Sequence, residues 1–382
     1  MKKTTVIFFV IMSSISFLQM NCKDEPPIII VPPTPTNCDY PVGNRNFTWR
    51  LDTIAWWPSF LGGLHAFSDS DAWVMGDMHG PVINGQNTSY VGLHWNGKTW
   101  NEKIDFLDIL MKANDVTGDS HFMAGVGWRG MPEGILAAIT EFDNSTKKWK
   151  TQQFQTQGEL RSVWTDGKGY FIAVGDNGIV YTKDGYTAEW VYQKTPTEFN
   201  FTRVTGISKT EVYARAVKSL PTGQYFQQIW KYIDTNWIKL MDNENATGMP
   251  IQIPEAGADI YDVAVYRCPI TDSLYLYVVG SGIFEFTTKG NSIAFVKREI
   301  ASFRKPIGYI ALFSPGDYWI SSIGYFLYHS NGSDMPLVQP IPAFQLGKDW
   351  GAFRPIKKSS SGKIWLVLEM DSQVYAVIQG IP

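Results

Sequence analysis

The amino-acid sequence predicts an all-β protein made of a repeated four-stranded unit. Residues 160–190 read as three short strands and the start of a fourth, joined by turns rich in Asp, Asn and Gly. Weaker copies of this unit recur along most of the 382-residue chain. Four copies have a tryptophan at the entry to the fourth strand, and these tryptophans, spaced 49, 41 and 47 residues apart, are Trp100, Trp149, Trp190 and Trp237. Because propeller blades repeat every 40 to 50 residues or so, the predicted fold is a β-propeller.

The clearest copy shows how each strand is recognised. Residues 160–164 and 170–174 are runs of apolar, aromatic and β-branched residues, which are typical of strands. Asp176, Asn177 and Gly178 follow the second run, and all three residue types tolerate the positive φ angles of a tight turn. The unit therefore predicts four antiparallel strands, which make one blade.

The last copies predict how the ring closes. Copies five, six and seven begin at Ile260, Ile307 and Phe353, and the seventh stops after its third strand. Residues 46–53, which include Trp49, resemble the missing fourth strand. A ring closed in this way has no free sheet edge between its first and last blades. We therefore predict seven four-stranded blades, with the N-terminal strand closing the last; six or eight blades, or a β-sandwich, are the alternatives.

Composition narrows the classes of partner. The chain has 33 basic and 36 acidic residues, a net charge of −3, and no basic run, which argues against nucleic acid as a partner. The five histidines have no metal-ligand spacing with each other or with cysteine, so neither a metal nor another cofactor is predicted. The 15 tryptophans are expected mainly between blades, and the propeller is expected to be a monomer.

The N-terminus predicts export. Lys2 and Lys3 precede an apolar run at residues 6–18, which is too short to span a bilayer and fits the core of a signal peptide at residues 1–21. The segment LQMNC then ends at Cys22 and resembles the bacterial lipobox, which implies that Cys22 is lipidated. An ordinary secretory signal with an incidental cysteine is the alternative.

The residues after Cys22 predict a surface lipoprotein. Lys23 and the two acidic residues that follow it resemble the export signal of surface lipoproteins in Bacteroidetes-like bacteria, which implies an outer-membrane lipoprotein at the cell surface. Residues 22–43 are proline-rich and predict an extended tether, roughly 40 Å long over its proline-containing part. The propeller then occupies residues 44–382. Cys38 and Cys268 could form a disulfide, but without any geometry two unpaired thiols are favoured.

Extra residues fall on one side of the predicted propeller, which we call the long-loop face. It carries the connections between the second and third strands of a blade and between successive blades. The longest of these are residues 77–90, 128–133, 217–225, 241–258 and 335–350. Rigid repeat scaffolds place binding residues on such loops, although loops can also drift without a function. The predicted ligand-binding residues are His79, Tyr90, Trp128, Arg129, Tyr225 and Trp350.

Two short motifs resemble those of known propellers. The segment VYTKDGYTAEW, residues 180–190, resembles the Asp-box hairpin of sialidase-type propellers and the repeats of photosystem II assembly-factor-like proteins. The segment WNGKTW, residues 95–100, is similar to a repeat found in bacterial surface lipoproteins. The resemblance extends over most of residues 46–380. It implies a propeller in which the motif locks a hairpin and has no catalytic role.

Two functions compete at this point. The favoured one is a non-catalytic binding or scaffold module for an envelope or extracellular protein or a glycan, which includes an assembly factor for another envelope complex. The alternative is a glycoside hydrolase of sialidase-like type, which would need clustered arginines beside a Tyr and Glu pair. Arg161, Arg203 and Arg354 lie near the starts of innermost strands and could form such a cluster. No motif connects them to an acid and a nucleophile, so no catalytic residue is assigned.

Overall fold

The computed structural model gives an all-β unit assembled from antiparallel sheets. The residues that it describes are 38, 46–83, 86–105, 109, 111–222, 225–252, 259–288, 295–302, 307–322, 326–330, 337–338, 352–359, 361–370 and 374–382. The predicted signal peptide, Cys22 and all of the tether except Cys38 lie outside these residues. Across the described ranges, no helix is long and apolar enough to cross a membrane.

Blade 1 begins with an unusually long strand. β1 (Thr48–Ser68) covers 21 residues, and its second half starts the blade. The three strands that follow are β2 (Asp71–Ile83), β3 (Gln86–Trp95) and β4 (Trp100–Ile104). Each pairs antiparallel with the strand before it, so chain order is also spatial order.

Blades 2 to 6 are five separate four-stranded sheets, each in chain order. Blade 2 contains β5 (Lys112–Gly118), β6 (Phe122–Met131), β7 (Gly134–Asp143) and β8 (Lys148–Gln157). Blade 3 contains β9 (Leu160–Thr165), β10 (Tyr170–Gly175), β11 (Val180–Asp184) and β12 (Val191–Gln193). Blade 4 contains β13 (Asn200–Ser208), β14 (Glu211–Ser219), β15 (Tyr225–Ile233) and β16 (Asn236–Asp242). Blade 5 contains β17 (Ile260–Arg267), β18 (Leu274–Gly280), β19 (Gly282–Thr288) and β20 (Phe295–Ser302). Blade 6 contains β21 (Ile307–Ser314), β22 (Asp317–Ser322), β23 (Phe326–Ser330) and β24 (Leu337–Val338).

Blade 7 is completed by the N-terminal end of the propeller. Its own strands are β25 (Ala352–Lys358), β26 (Ile364–Met370) and β27 (Val374–Ile381). The first half of β1 pairs with β27, with Thr48 opposite Ile381, which confirms the predicted closing strand. The innermost strands contact one another in succession, and β25 contacts β1, so the ring is closed. Seven groups of four strands among the described residues are consistent with the predicted seven blades.

Large aromatic side chains fill the space between the sheets. Trp73, Trp95, Trp319 and Trp365 are each at most 1% exposed. Trp190 is also buried and donates its indole N–H to Glu141 Oε1 of the preceding blade at 2.7 Å. Burial of these rings supports the interpretation that the tryptophans are mainly structural.

Every innermost strand has an irregularity near its start, where it meets the long-loop face. A register shift falls there in all seven blades, as between Ala113 and Asp115 of β5. In four blades a glycine of the second strand lies against the bulge. A Cβ atom on Gly127 would lie 1.8 Å from the Lys112 carbonyl oxygen, and one on Gly280 would lie 1.6 Å from that of Asp259. Only glycine lets the two backbones approach this closely.

Cys38 and Cys268 form a disulfide, so the expectation of two unpaired thiols is wrong. Their Cα atoms are 5.7 Å apart, which is within the range that a disulfide spans, and both residues are buried. Cys268 directly follows β17, in the turn between the first two strands of blade 5. This turn lies on the side opposite the long-loop face, which we call the short-loop face. Residues 230 positions apart in sequence meet there only because the ring brings them together.

Candidate functional site at the long-loop face

The insertions of the long-loop face are extended hairpins where the structure describes them. β2 and β3 remain paired out to Ile83 opposite Gln86, and β6 and β7 remain paired to the tight turn where Met131 faces Gly134. In blade 4, Ser219 faces Tyr225. Residues expected to lie in loops are therefore mostly in strands, and their side chains alternate between the two faces of a hairpin.

A cavity of about 450 Å³ opens on this face at the axis of the ring. Its walls come from the first residues of the innermost strands, at and next to the bulges, so several blades contribute one or two side chains each. We call it the upper cavity, and its chemically informative lining residues are Phe60, Asn114, Glu159, Arg161, Arg203 and Tyr309.

Arg161 forms one ionic cluster in the wall of the upper cavity. Its Nε lies 2.5 Å from Asp176 Oδ1, and one terminal nitrogen lies 2.7 Å from Glu159 Oε1. Burial disfavours the charged guanidinium, but the hydrogen bond to Asp176 and the charges of both carboxylates outweigh it and raise the pKa of Arg161. The guanidinium therefore keeps its charge, and the cluster makes this part of the wall polar.

Arg203 lies deeper and separates the upper cavity from a second one below it. Its Nε donates to Asp262 Oδ1 at 2.9 Å, and a terminal nitrogen lies 3.7 Å from Asp115 Oδ2. The guanidinium carbon also lies 5.2 Å from the centre of the Tyr309 ring. Burial opposes the charge of Arg203, and the two carboxylates reverse that effect and raise its pKa. The guanidinium of Arg203 is thus held by carboxylates of other blades and forms the floor of the upper cavity.

The carboxylates that hold Arg203 also connect neighbouring blades. Asp115 in blade 2 accepts a hydrogen bond from the main-chain N–H of Val163 in blade 3 at 3.1 Å. Asp262 in blade 5 accepts one from the N–H of Ile310 in blade 6 at 3.1 Å. Each aspartate also accepts from the N–H of the residue that follows it, at 2.9 Å. The charged floor is therefore part of the structural frame.

Two of the predicted site residues meet at the rim between blades 1 and 2. His79 Nε2 lies 3.8 Å from Asp77 Oδ1, and the other oxygen of Asp77 forms an ion pair with Lys112. The Lys112 ammonium in turn lies 5.4 Å from the centre of the Trp128 ring. Arg129 points elsewhere and lies beside Gln153 of blade 2. Asp77 and Lys112 therefore connect His79 with Trp128 at this rim, and neither was predicted as a site residue from the sequence.

The other predicted site residues are not part of this rim. Tyr90 is 3% exposed and its hydroxyl donates to the Ile54 carbonyl, so it is a packing residue and offers a ligand almost no surface. Tyr225 is 52% exposed at the end of the blade 4 hairpin. Trp350 lies outside the described residues.

The arginine cluster considered for a glycosidase is present only in part. Arg161 and Arg203 line the upper cavity, but both are bonded to carboxylates of the protein. Arg215 faces Arg203 on the neighbouring strand and donates to Thr202 and Gln227. The side chain of Arg354 lies outside the described part of the chain. These contacts are those of a structural network.

Several residues of the upper cavity were not predicted from the sequence, although the sequence contains one signal for their position. Phe60, Asn114, Glu159 and Tyr309 belong to no recognisable motif. However, four second strands contain a glycine that directly follows an apolar residue, at Gly76, Gly127, Gly175 and Gly280. Each of these glycines marks the bulge of the adjacent innermost strand, and the bulge directs side chains into the cavity.

Fold and site together define a β-propeller with a polar, partly ionic cavity on the face that carries its longest hairpins. Comparison with solved structures agrees with this. A structure described as YCF48 bound to D1 peptide has a TM-score of 0.59 and 12% identity, covering 91% of this chain and 100% of that chain. YCF48 from Cyanidioschyzon merolae has a TM-score of 0.55 and 15% identity, covering 86% of this chain and 98% of that chain.

At these identities the likeness shows the fold alone. It supports the resemblance to photosystem II assembly-factor-like propellers at that level. No protein-family model matches the chain, and no curated protein matches it.

Proposed function

We propose that this propeller is a non-catalytic binding module that holds an extended segment of a partner protein at the upper cavity. The observation that carries the proposal is the cavity itself, about 450 Å³ in volume and open on the face where the hairpins of blades 1, 2 and 4 project. The similar propeller described as bound to a D1 peptide supports a peptide as the ligand. The volume also falls within the roughly 300–1,000 Å³ typical of ligand pockets.

The side chains at the opening suit a peptide. Phe60 is 41% exposed in the cavity wall, and Trp56 is exposed where β1 passes from blade 7 to blade 1. Exposed aromatic rings beside hydrogen-bonding groups are the usual anchors of protein interfaces. Asn114 and Thr202 add neutral polar groups that can pair with a peptide backbone.

We further propose that the module is an outer-membrane lipoprotein anchored through Cys22 and presented at the cell surface. The disulfide joins Cys38 to Cys268 at the short-loop face, on the side opposite the upper cavity. The segment LQMNC, which resembles the lipobox and ends at Cys22, supports this proposal. Replacing Cys22 with serine should abolish incorporation of an alkyne-labelled fatty acid, and unchanged labelling would contradict lipidation at this residue.

Site-specific photo-crosslinking in intact cells tests the peptide site. A benzophenone amino acid at position 60 should capture one envelope or extracellular protein, because the side chain lies in the cavity wall. The matched control is the same replacement at Ile270, which is 42% exposed but lies in the turn after β17 on the short-loop face. Mass spectrometry of the adduct should identify one contiguous segment of the partner.

The result has clear alternatives. Equal capture at positions 60 and 270 would contradict a site at the upper cavity, and capture at position 270 alone would move the site to the short-loop face. Replacing Trp128 with alanine should weaken capture at position 60, since it removes the ring beside Lys112 at the rim. Unchanged capture would exclude the rim from the interface.

A further inference from the structure

We propose that the second axial cavity is a separate binding site for a small hydrophilic anion, a carboxylate or a phosphate, whose charge is held by the ammonium group of Lys357. We call it the lower cavity. It does not depend on the peptide site, because Arg203 and Tyr309 lie between the two.

The size of the lower cavity suits a small ion. Its volume is about 200 Å³, and its walls run from Arg203 down the innermost strands to Leu312 and Phe313, near the short-loop face. This volume is below the roughly 300–1,000 Å³ of pockets for drug-sized ligands. Thr117 and Thr205, two residues with hydroxyl groups, are among its lining residues. A compact molecule with several hydrogen-bonding atoms fits such a space, and a folded segment of a protein does not.

Lys357 is the one cation of this cavity for which the described residues supply no partner. It lies on β25 and lines the lower cavity, and its ammonium group has neither a hydrogen bond nor an ion pair with any described side chain. Its neighbour Lys358 differs, because that side chain lies 2.6 Å from Asp317 Oδ2. Burial lowers the pKa of Lys357, and the charge of Arg203 adds to this effect, while the more distant charges of Asp115 and Asp262 oppose it without forming an ion pair.

The carboxylates that line the same cavity are already occupied. Asp115 and Asp262 accept main-chain N–H groups and hold the guanidinium of Arg203. Their oxygens are therefore directed at the strands and at Arg203. An unpaired ammonium group in a cavity is costly, and an anion from solution can neutralise it.

His65 also senses the charge of Lys357. Its Nε2 is buried without a hydrogen-bond partner among the described residues, and burial together with the charge of Lys357 lowers the pKa of His65 to about 3. An anion bound to Lys357 would cancel part of this repulsion. The His65 resonance at neutral pH should then shift when an anion fills the site, which gives a readout that does not depend on any variant.

Titration calorimetry on the purified full-length protein tests the site with two probes, sodium acetate and sodium phosphate, in low-salt buffer. At least one probe should bind saturably with one-to-one stoichiometry and a Kd of about 1 mM or tighter. Binding of acetate would identify a carboxylate site, and binding of phosphate alone would identify a phosphate site. Absence of saturable binding for both probes would overturn the proposal.

Two lysine variants distinguish anion binding at Lys357 from nonspecific attraction to positive charge. Lys357→Met should weaken binding at least about tenfold, since it removes the charge and keeps the length of the side chain. Lys209→Met is the matched control, because Lys209 is an exposed lysine paired with Asp184, and its binding should match the wild type. Equal binding by Lys357→Met would refute the proposal. Should that variant fail to fold, the His65 resonance of the wild type at neutral pH decides, because a resonance that shifts with neither anion also refutes the proposal.

Discussion

Asp262→Asn is the most informative single substitution in the frame of the ring. Asp262 is 1% exposed and accepts the main-chain N–H groups of Val263 and Ile310 together with Nε of Arg203. Asparagine keeps the shape of the side chain. The substitution removes the negative charge. It also replaces one carboxylate oxygen, which accepts a hydrogen bond in the wild type, with an amide nitrogen that would face the same donor.

The expected cost follows from these contacts. Removing one partner of a buried ion pair costs about 3–5 kcal/mol, because the remaining charge is uncompensated. Arg203 keeps Asp115 at 3.7 Å, which places this substitution near the lower end, about 3 kcal/mol of unfolding free energy. The matched control is Asp184→Asn, which breaks the exposed pair with Lys209 at 3.2 Å and should cost less than about 0.5 kcal/mol.

Equilibrium unfolding in urea measures both variants, and a double-mutant cycle with Arg203→Met separates the causes. If the ion pair dominates, Asp262→Asn should cost at least about 1 kcal/mol less in the Arg203→Met background. An identical cost in both backgrounds would show that the main-chain hydrogen bonds, and not Arg203, account for the effect. A cost below about 1 kcal/mol in the wild type would refute the reasoning as a whole.

Three further predictions concern the bulges, the disulfide and acid stability. Gly127→Ala should lower the unfolding free energy by at least about 3 kcal/mol or prevent folding, because its Cβ would lie 1.8 Å from a backbone oxygen. The control Gly308→Ala, whose Cβ would lie 3.6 Å from the nearest atom, should cost less than about 1 kcal/mol in the same urea assay. Similar costs for the two variants would contradict the bulge argument. Cys268→Ala should lower the unfolding free energy by about 2–5 kcal/mol, towards the upper end because the disulfide closes a separation of 230 residues, and reductant should then have no further effect on the variant. His65 has a folded pKa of about 3 and an unfolded value of 6.5, so only the unfolded chain gains this proton between those pH values and stability falls as pH falls, by at most about 5 kcal/mol. His65→Gln should show a shallower loss between pH 6.5 and 3, and a parallel loss would contradict the assignment.

The fold could be predicted because its determinants are local and repeated. Runs of apolar, aromatic and β-branched residues marked the strands of the clearest copy, and the turn at Asn177 takes the expected positive φ of 54°. The period of the tryptophans indicated blades, and the incomplete seventh copy indicated that residues 46–53 close the ring. Each signal lies within one repeat, so a single sequence can show it.

For the candidate site, the sequence could predict only a side of the molecule. The long-loop face was identified from insertion lengths, and His79 and Trp128 do lie near one another there. Tyr90 was misplaced because the insertion continues as a strand, in which alternate side chains point inward. The walls of both cavities come from residues scattered over several blades, such as Asp115 and Asp262, and no local pattern connects them.

The sequence by itself determined the repeated blade and the closing strand, because short-range patterning and turn chemistry encode them. Only the tertiary structure decided which side chains meet. The pairing of Cys38 with Cys268 and the position of Arg203 between Asp115 and Asp262 depend on the curvature of the closed ring. The bulges of the innermost strands direct those side chains to the axis, and their effect appears only when the blades pack around it.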